Sequence, residues 1–212
     1  DPHFAITRLL VLENTHNGKA LGLDYMAQAA EFAGRHGLSL HLDGARVFNA
    51  ATELGVEVKE IVRYVDSVSI CFSKGLGAPV GSLLCGSGPF IAAAKRWRKM
   101  AGGGLRQAGV LAAAIDYALD HHVDRLRSDH AHAKRLAQAV SKIDAITLIS
   151  SQTNMVFIEL PDEDIGVQLG QFLAERGVNV LGGKRMRLVT HLDISAADTE
   201  TVIALFREYF AS

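Results

Sequence analysis

A lysine and an aspartate occupy similar places in the sequence, each after a short apolar run and each followed by glycine. Lys74-Gly75 comes after the run 68–72, and Asp43-Gly44 comes after the run 38–42. Runs of this length and composition are typical of buried β-strands. An amine can form a Schiff base with an aldehyde, and a carboxylate can keep a pyridine nitrogen protonated so that the ring withdraws electrons. The pair therefore indicates a site for pyridoxal 5'-phosphate (PLP).

Each of these residues also has a simpler interpretation. Most lysines in Ser-Lys-Gly turns are solvated, Asp before Gly is common in turns, and Arg46 could be an ordinary surface arginine. In the functional interpretation Asp43 bonds the pyridine N–H, and Arg46 is close enough to fix the phenolic oxygen of the ring or the acid. Because Asp-x-x-Arg and Ser-Lys-Gly each follow a predicted parallel strand, the joint pattern favours the PLP site.

The elements that would position these residues form an α/β pattern. Strands are predicted at 9–12, 38–42, 66–72 and 81–85, and helices at 24–36 and 58–64. Strands that alternate with helices predict a mainly parallel sheet with right-handed crossovers. Ligands of such sheets gather beyond the carboxyl ends of the strands, where Asn14, Asp43 and Lys74 are expected.

The remaining sequence predicts three helices followed by a small α+β domain. The helices are predicted at 89–100, 107–121 and 124–142, the later strands at 146–149, 155–160, 178–181 and 187–191, and the later helices at 165–177 and after 195. Ser195 is the expected cap of the last helix, with Asp198 as its capping-box partner. The change of pattern predicts a large PLP-binding domain at 1–142 and a small domain at 143–212.

Three further cations could bind anions. Arg187 begins an alternating, strand-like segment, so it could simply face solvent, but an arginine fork can also hold the α-carboxylate of an amino acid. Lys99 and Arg106 flank three glycines between two predicted helices. Cations suit the end of a helix, so a solvated helix end is the simpler interpretation. The functional alternative is contact with a phosphate or a carboxylate.

The composition argues against several classes of protein. The chain has 212 residues, is 49% hydrophobic and has a formal net charge of −1, so no overall basic field indicates nucleic acid. No apolar stretch reaches the roughly 18 residues that a membrane helix needs. Cys71 and Cys85 lie in apolar runs and are expected to be free, buried thiols, which favours the cytoplasm. The histidines lack metal-ligand spacing, and no nucleotide-binding glycine pattern is present.

Five segments together resemble the low-specificity threonine aldolases, a family of fold-type-I PLP enzymes. They are Leu12-Glu-Asn-Thr-His-Asn-Gly18, His41-Leu-Asp-Gly-Ala-Arg-Val-Phe48, Ser73-Lys-Gly-Leu-Gly-Ala-Pro-Val-Gly81, Trp97-Arg-Lys-Met-Ala-Gly-Gly-Gly-Leu-Arg-Gln107 and Arg187-Leu-Val-Thr-His-Leu-Asp193. The resemblance implies that Lys74 is the Schiff-base lysine and that Asp43 is the partner of the pyridine nitrogen. It also implies that Arg46 touches the cofactor and that Arg187 binds the substrate carboxylate.

The resemblance implies roles for three more residues. Lys99 and Arg106 match positions near the cofactor phosphate or the substrate at a subunit interface, so a homodimer or homotetramer with shared active sites is expected. His3 matches a histidine near the β-hydroxyl of the substrate and is a candidate base, directly or through water, with the family's ring-stacking histidine as an equal candidate. Family members also have an N-terminal segment with a glycine-rich phosphate-binding turn and a ring-stacking histidine, which have no counterpart here. The sequence, which starts at Asp1 without a methionine, is therefore expected to be part of a longer chain.

The implied reaction is the retro-aldol cleavage of threonine, allo-threonine or a related β-hydroxy-α-amino acid to glycine and an aldehyde. Another fold-type-I PLP activity, such as that of an aminotransferase or a β-lyase, is an alternative. A non-catalytic fragment is the alternative from a different class of protein.

Overall fold

The computed structural model describes residues 3–211, which form two compact units. The first unit contains residues 3–16 and 20–124, and the second contains residues 17–19 and 125–211. The second unit begins before the sequence-based boundary at Lys142. The reason is that the helix over Leu126–Val140 packs on the strands and the last helix of that unit.

A four-stranded sheet forms the centre of the first unit. Its strands are β1 (Leu9–Glu13), β2 (Ser39–Asp43), β3 (Ser67–Cys71) and β4 (Ser82–Gly86), in the order β1-β2-β3-β4. The first three strands run parallel, which confirms the mainly parallel sheet, whereas β4 runs antiparallel to β3. The connection over residues 72–81 contains no helix that could carry a crossover, so the chain turns back beside β3.

Five helices accompany this sheet. They are α1 (Leu23–Arg35), α2 (Val47–Leu54), α3 (Val58–Val62), α4 (Gly88–Met100) and α5 (Gly109–His121). The helix α2 was not predicted. It follows directly on the segment that starts with Asp43 and turns Val47, Ala50 and Ala51 into the core. Leu42 of β2 and Val68 of β3 pack against these residues. The core therefore includes the strands that precede the predicted site residues.

The strand β4 and the helix α4 of the first unit are not covered by other parts of that unit. Every residue of β4 is exposed, and α4 has no buried residue. Trp97 and Met100 on α4 are 67% and 64% exposed. The expectation that Cys85 is buried is therefore wrong, because its strand is not covered, while Cys71 on β3 is half-buried and both thiols are free.

The second unit is a three-stranded antiparallel sheet packed with helices. Its strands are β5 (Thr147–Gln152), β6 (Met155–Glu159) and β7 (Arg185–Val189), and its helices are α6 (Leu126–Val140), α7 (Glu163–Ala174) and α8 (Ala196–Ala211). The sheet and helices bury a common core that includes Ile158, Leu169 and Phe206. The capping box at the start of α8 is confirmed. Ser195 Oγ accepts the N–H of Asp198 at 3.1 Å, and Asp198 Oδ2 accepts the N–H of Ser195 at 2.9 Å.

The prediction of a strand at 178–181 is wrong, since this segment has no regular structure. Val178 and Val180 do pack on the core, which explains their alternating pattern. The backbone that follows passes tightly over α7, where a Cβ added at Gly166 would lie only 2.1 Å from the oxygen of Gly183. The segment 178–181 therefore leads into the residues that pass over α7 and does not pair with the sheet.

Among residues 3–211, no helix combines the length and the apolar character needed to cross a bilayer.

Candidate active site

Asp43 is the last residue of β2 and is fixed by its own backbone turn. Its register partners are Glu13 on β1 and Ser69 on β3. Asp43 Oδ1 accepts the N–H of Ala45 at 3.0 Å, which is the usual arrangement of an Asp that opens a turn. Within residues 3–211, Oδ2 has no hydrogen-bond partner. The turn thus orients the carboxylate and leaves one oxygen available.

Gly44 allows this turn to lie against the neighbouring strand. Its N–H donates to the oxygen of Ser69 at 2.8 Å. A Cβ at Gly44 would lie 2.7 Å from Val68 Cγ2 and 3.0 Å from the Ser69 oxygen, so a larger residue would displace the backbone. Arg46, two residues on, is half-buried and precedes α2 as its N-cap residue. The tight turn therefore sets the positions of both Asp43 and Arg46 relative to β3.

Lys74 lies in the connection that follows β3. The N–H of Gly77 donates to the oxygen of Lys74 at 2.9 Å, and the N–H of Ala78 donates to the oxygen of Phe72 at the same distance. These bonds close a compact turn in which Leu76 is buried and Lys74 is exposed. The Lys74 side chain makes no hydrogen bond or ion pair within the described part of the chain. Its amine is therefore available to a ligand.

Parallel pairing brings the turns that carry Asp43 and Lys74 to one edge of the sheet. Since β2 and β3 run in the same direction in register, their carboxyl ends meet there. Asn14 follows β1 at the same edge, and its N–H donates to the oxygen of Asp43 at 3.0 Å. The Asn14 carboxamide is fully buried and bonds both backbone groups of Leu21, at 3.0 and 3.2 Å. Asn14 therefore shapes the loop beside the site.

Lys99 and Arg106 lie at the connection between α4 and α5. Gly103 N–H caps α4 by donating to the oxygen of Arg98 at 2.8 Å. The Lys99 side chain crosses Gly104 so closely that a Cβ there would lie 2.7 Å from Nζ. Both cations are exposed, and no hydrogen bond or ion pair between residues 3 and 211 joins them to Asp43 or Lys74. The absence of a side chain at Gly104 therefore leaves room for the Lys99 side chain. Lys99 and Arg106 are both accessible to an anion.

His3 lies in an exposed turn ahead of β1, and residues 5–8 that follow it have no regular structure. Residues 3–211 contain no group of three His, Cys, Asp or Glu side chains that could hold a metal ion.

Arg187 belongs to the second unit and lines an open cavity of about 560 Å³ within it. On β7 the neighbours Met186 and Leu188 are buried, so the alternation turns Arg187 to the opposite, exposed face. Arg185 on the same face donates to Glu159 Oε2 at 2.8 Å, and this hydrogen bond lowers the pKa of the Glu159 carboxyl. Within the described residues Arg187 has no such partner. Of the two arginines, Arg187 is thus the one that is free to bind a carboxylate.

One residue with a bearing on the site escaped the interpretation of the sequence. The sequence pattern assigns no role to this residue, His122. In the structure its Nδ1 lies 2.6 Å from the oxygen of Leu76, inside the turn that carries Lys74. The two residues are far apart in sequence, and no local pattern indicates that they meet.

Known proteins resemble the chain along its whole length. It is 48% identical over 211 residues to the low-specificity L-threonine aldolase of Escherichia coli strain K12, an alignment that covers 100% of this chain and 63% of that protein. It is 42% identical to low-specificity L-threonine aldolase 1 of Arabidopsis thaliana, covering 95% of this chain and 59% of that protein. The chain thus spans less than two thirds of the length of these relatives.

Solved structures share the fold. The threonine aldolase of Leishmania major superposes with a TM-score of 0.80 at 20% identity, covering 99% of this chain and 63% of that one. A high-resolution structure of SPT with a PLP internal aldimine superposes with a TM-score of 0.73 at 20% identity, covering 96% of this chain and 55% of that one. The expected fold-type-I architecture is confirmed by these superpositions.

The match to a protein family agrees with the motifs at the end of β2 and after β3. The family described as beta-eliminating lyase matches residues 1–163, which include both motifs. This chain therefore belongs to the beta-eliminating lyase family.

Proposed function

We propose that this chain carries the PLP-binding and substrate-binding residues of a lyase of the threonine aldolase type. The observation that carries the proposal is the parallel register of β2 and β3, since both strands end at the edge where Asp43 and Lys74 follow them. Asp43 Oδ2 and the Lys74 amine lack partners among residues 3–211. The identity of 48% to a low-specificity L-threonine aldolase supports the same activity.

The residues at this edge suit PLP. Lys74 Nζ is exposed and can bond the aldehyde carbon, while Asp43 is oriented by its hydrogen bond from Ala45 and keeps an oxygen for the pyridine N–H. Gly44 has no room for a Cβ, which keeps the backbone next to Asp43 close to β3. PLP, when bound, draws electrons away from the α-carbon of an amino acid and so weakens the bonds to that carbon.

The other cations would complement the negative charges of the cofactor and the substrate. Arg46 beside Asp43 is assigned to the ring, and the exposed Lys99 and Arg106 are assigned to the cofactor phosphate or the substrate. In this proposal the last two act across the interface of a homodimer or homotetramer in the cytoplasm. The free thiols of Cys71 and Cys85 are compatible with a reducing compartment.

Arg187 is assigned to the α-carboxylate of the substrate. A guanidinium can donate two parallel N–H bonds to a carboxylate, which fixes both the position and the orientation of the amino acid. This assignment is supported by the absence of a partner for Arg187 within residues 3–211 and by its position in a cavity of about 560 Å³.

The proposed cleavage separates Cα from Cβ. A base, either His3 or the ring-stacking histidine of the family's N-terminal segment, accepts the proton of the β-hydroxyl as the Cα–Cβ bond breaks, and the former hydroxyl oxygen leaves in an aldehyde. Asp43 would keep the pyridine nitrogen protonated, so that bound PLP could take up the electron pair of the broken bond. The protonated base, directly or through water, then returns a proton to Cα in place of Cβ, and the product is glycine.

Product analysis tests this function. The PLP-loaded protein should convert threonine or allo-threonine into equal amounts of glycine and acetaldehyde. A keto acid instead of glycine would indicate an aminotransferase or a β-lyase and would contradict the proposal. The absence of any turnover, together with failure to retain PLP, would favour a non-catalytic fragment.

A further inference from the structure

The turn that carries Lys74 is attached to the end of α5 by a side chain. His122 Nδ1 lies 2.6 Å from the backbone oxygen of Leu76, between Lys74 and Gly77. Because a carbonyl oxygen can only accept, the proton of this hydrogen bond belongs to Nδ1 of the imidazole. The bond therefore selects the tautomer of His122 and restrains the middle of the turn.

The same face of α5 also touches the far end of this connection. Ile115, Ala118 and His122 are spaced at three and four residues, so they lie along one side of the helix. Ile115 Cδ1 lies 2.8 Å from where a Cβ at Gly81 would stand, which shows how closely the two segments approach. Ala118 is buried at 1% exposure. The face of α5 thus supports residues 76–81 at two points.

The ring of His122 is itself held in place. Tyr117 meets it edge to face, with ring centroids 5.5 Å apart and planes at 85°. Leu76, whose carbonyl receives the hydrogen bond, is 2% exposed, so the backbone around it has little freedom. A buried peptide carbonyl that loses its donor costs free energy, and the turn would relax to regain one.

We propose that His122 is a positioning residue for Lys74. Its Nδ1–H bond to the Leu76 carbonyl holds the Lys74–Gly77 turn in the shape that keeps the Lys74 amine at the sheet edge beside Asp43. His122 does not touch the reacting atoms and acts only through the turn. This inference rests on the proposed role of Lys74 as the residue that bonds PLP.

The rate at which Lys74 bonds PLP tests the inference. The full-length protein is stripped of PLP, mixed with fresh PLP, and sampled by borohydride reduction and peptide mass mapping. His122→Phe keeps a ring of similar size without the donor and should slow labelling of Lys74 about tenfold, the effect expected when one buried hydrogen bond is lost. His122→Asn places an amide N–H near the position of Nδ1 and should restore the rate to within about twofold.

His121 provides the matched control. It is the exposed neighbour of His122, contacts Tyr117 with ring centroids 4.3 Å apart, and makes no hydrogen bond within residues 3–211. His121→Phe should label Lys74 at the normal rate. Normal labelling of His122→Phe would overturn the inference alone, and so would equal impairment of His122→Phe and His122→Asn. A wild-type protein that never labels Lys74 would overturn the proposed function as well.

A measurement on the unmutated protein guards against variants that do not fold. Nitrogen-15 chemical shifts of the His122 ring at a pH where it is neutral should report a protonated Nδ1 and an unprotonated Nε2. The opposite tautomer would leave the Leu76 carbonyl without its donor and would overturn the inference.

Discussion

The two units differ in how completely they bury their own side chains. The second unit closes a core of its own, in which Ile158, Leu169 and Phe206 are at most 2% exposed. The core of the first unit includes residues of β2 and β3, whereas β4 is exposed along its whole length. The proposed PLP-bonding residues, Lys74 and Asp43, nevertheless lie in this more open unit.

The difference indicates that stability and chemistry can be changed separately. A core residue of the second unit, such as Phe206, contributes to unfolding free energy and is not among the residues proposed to bind PLP. Conversely, Asp43 and Lys74 contribute little burial, since Lys74 is exposed and Asp43 is half-buried. Variants of the two units should therefore separate into those that lose turnover and those that lose stability.

The largest effect is expected for Asp43→Ala. Turnover of threonine should fall about a thousandfold or more, equivalent to ~4 kcal/mol of activation free energy, because the ring nitrogen loses the charge that keeps it protonated. Steady-state kinetics on the PLP-loaded variant give the factor. Asp43→Asn is the matched variant, since its side-chain oxygen can still accept the N–H of Ala45. It should lose turnover while retaining the fold, and near-normal rates in either variant would refute the role of Asp43.

The strongest effect on stability is expected for Phe206→Ala. This side chain is completely buried in the core of the second unit, and truncation of a buried phenylalanine typically costs about 3–5 kcal/mol of unfolding free energy. Urea unfolding measures the loss, and the molecules that remain folded should keep an unchanged kcat. Val167→Ala on the exposed side of α7 is the control and should change stability by less than about 1 kcal/mol. A loss of kcat in folded Phe206→Ala would show that the two properties are not separable.

A smaller effect is expected for Arg187→Ala. It should raise the KM for threonine about 10- to 100-fold with a lesser change in kcat, because the lost hydrogen bonds hold the carboxylate and not the reacting bond. Arg185→Ala is the matched control on the same strand face, where the arginine is already bonded to Glu159. It should change KM less than about threefold, the scale of a surface ion pair. Equal KM values for Arg187→Ala and the wild type would remove Arg187 from the substrate site.

The smallest effect concerns the pH dependence of stability. The Asp129 carboxyl is buried in the second unit, and burial raises its pKa against the opposing charge of Arg125. The folded chain therefore binds this proton more tightly than the unfolded chain, so this contribution to stability is present at low pH. It is lost as the pH rises from the ordinary carboxyl range through the raised pKa.

Urea unfolding over a series of acidic to neutral pH values measures this dependence. Asp129→Asn has no proton to lose and should show a weaker decline in stability over the same interval than the wild type. An identical pH dependence in the two proteins would contradict the raised pKa.

Apolar runs in the sequence predicted the strands that frame the site, but not every element around it. The runs before Asp43 and Lys74 became β2 and β3, because apolar residues at alternate positions suit a strand that turns one face to the core. The helix α2 was missed although Val47, Ala50, Ala51 and Leu54 have helical spacing, since a helix of eight residues gives only a short signal. The segment 178–181 has the alternation of a strand but stays unpaired, and the residues that follow it, Gly182 and Gly183, pass closely over α7.

Side-chain contacts over long sequence distances were beyond the reach of sequence patterns. The joint occurrence of Asp43 and Lys74 after two strands was enough to predict that both lie at one edge. The hydrogen bond from His122 to Leu76 was not predictable, because it depends on how α5 packs against the turn. The hydrogen bond from Arg185 to Glu159 was likewise not predictable, because it joins two strands that are distant in sequence. Such pairings follow from tertiary packing, which no local pattern records.

The central claim is that Lys74 bonds PLP at the edge where β2 and β3 end. It is tested most directly by reducing the PLP-loaded protein with borohydride and mapping its peptides by mass. The pyridoxyl phosphate group should be found on the peptide that contains Lys74, and Lys74→Ala should lose both this adduct and the visible absorption band. A label on another lysine, or an unchanged spectrum in Lys74→Ala, would contradict the account.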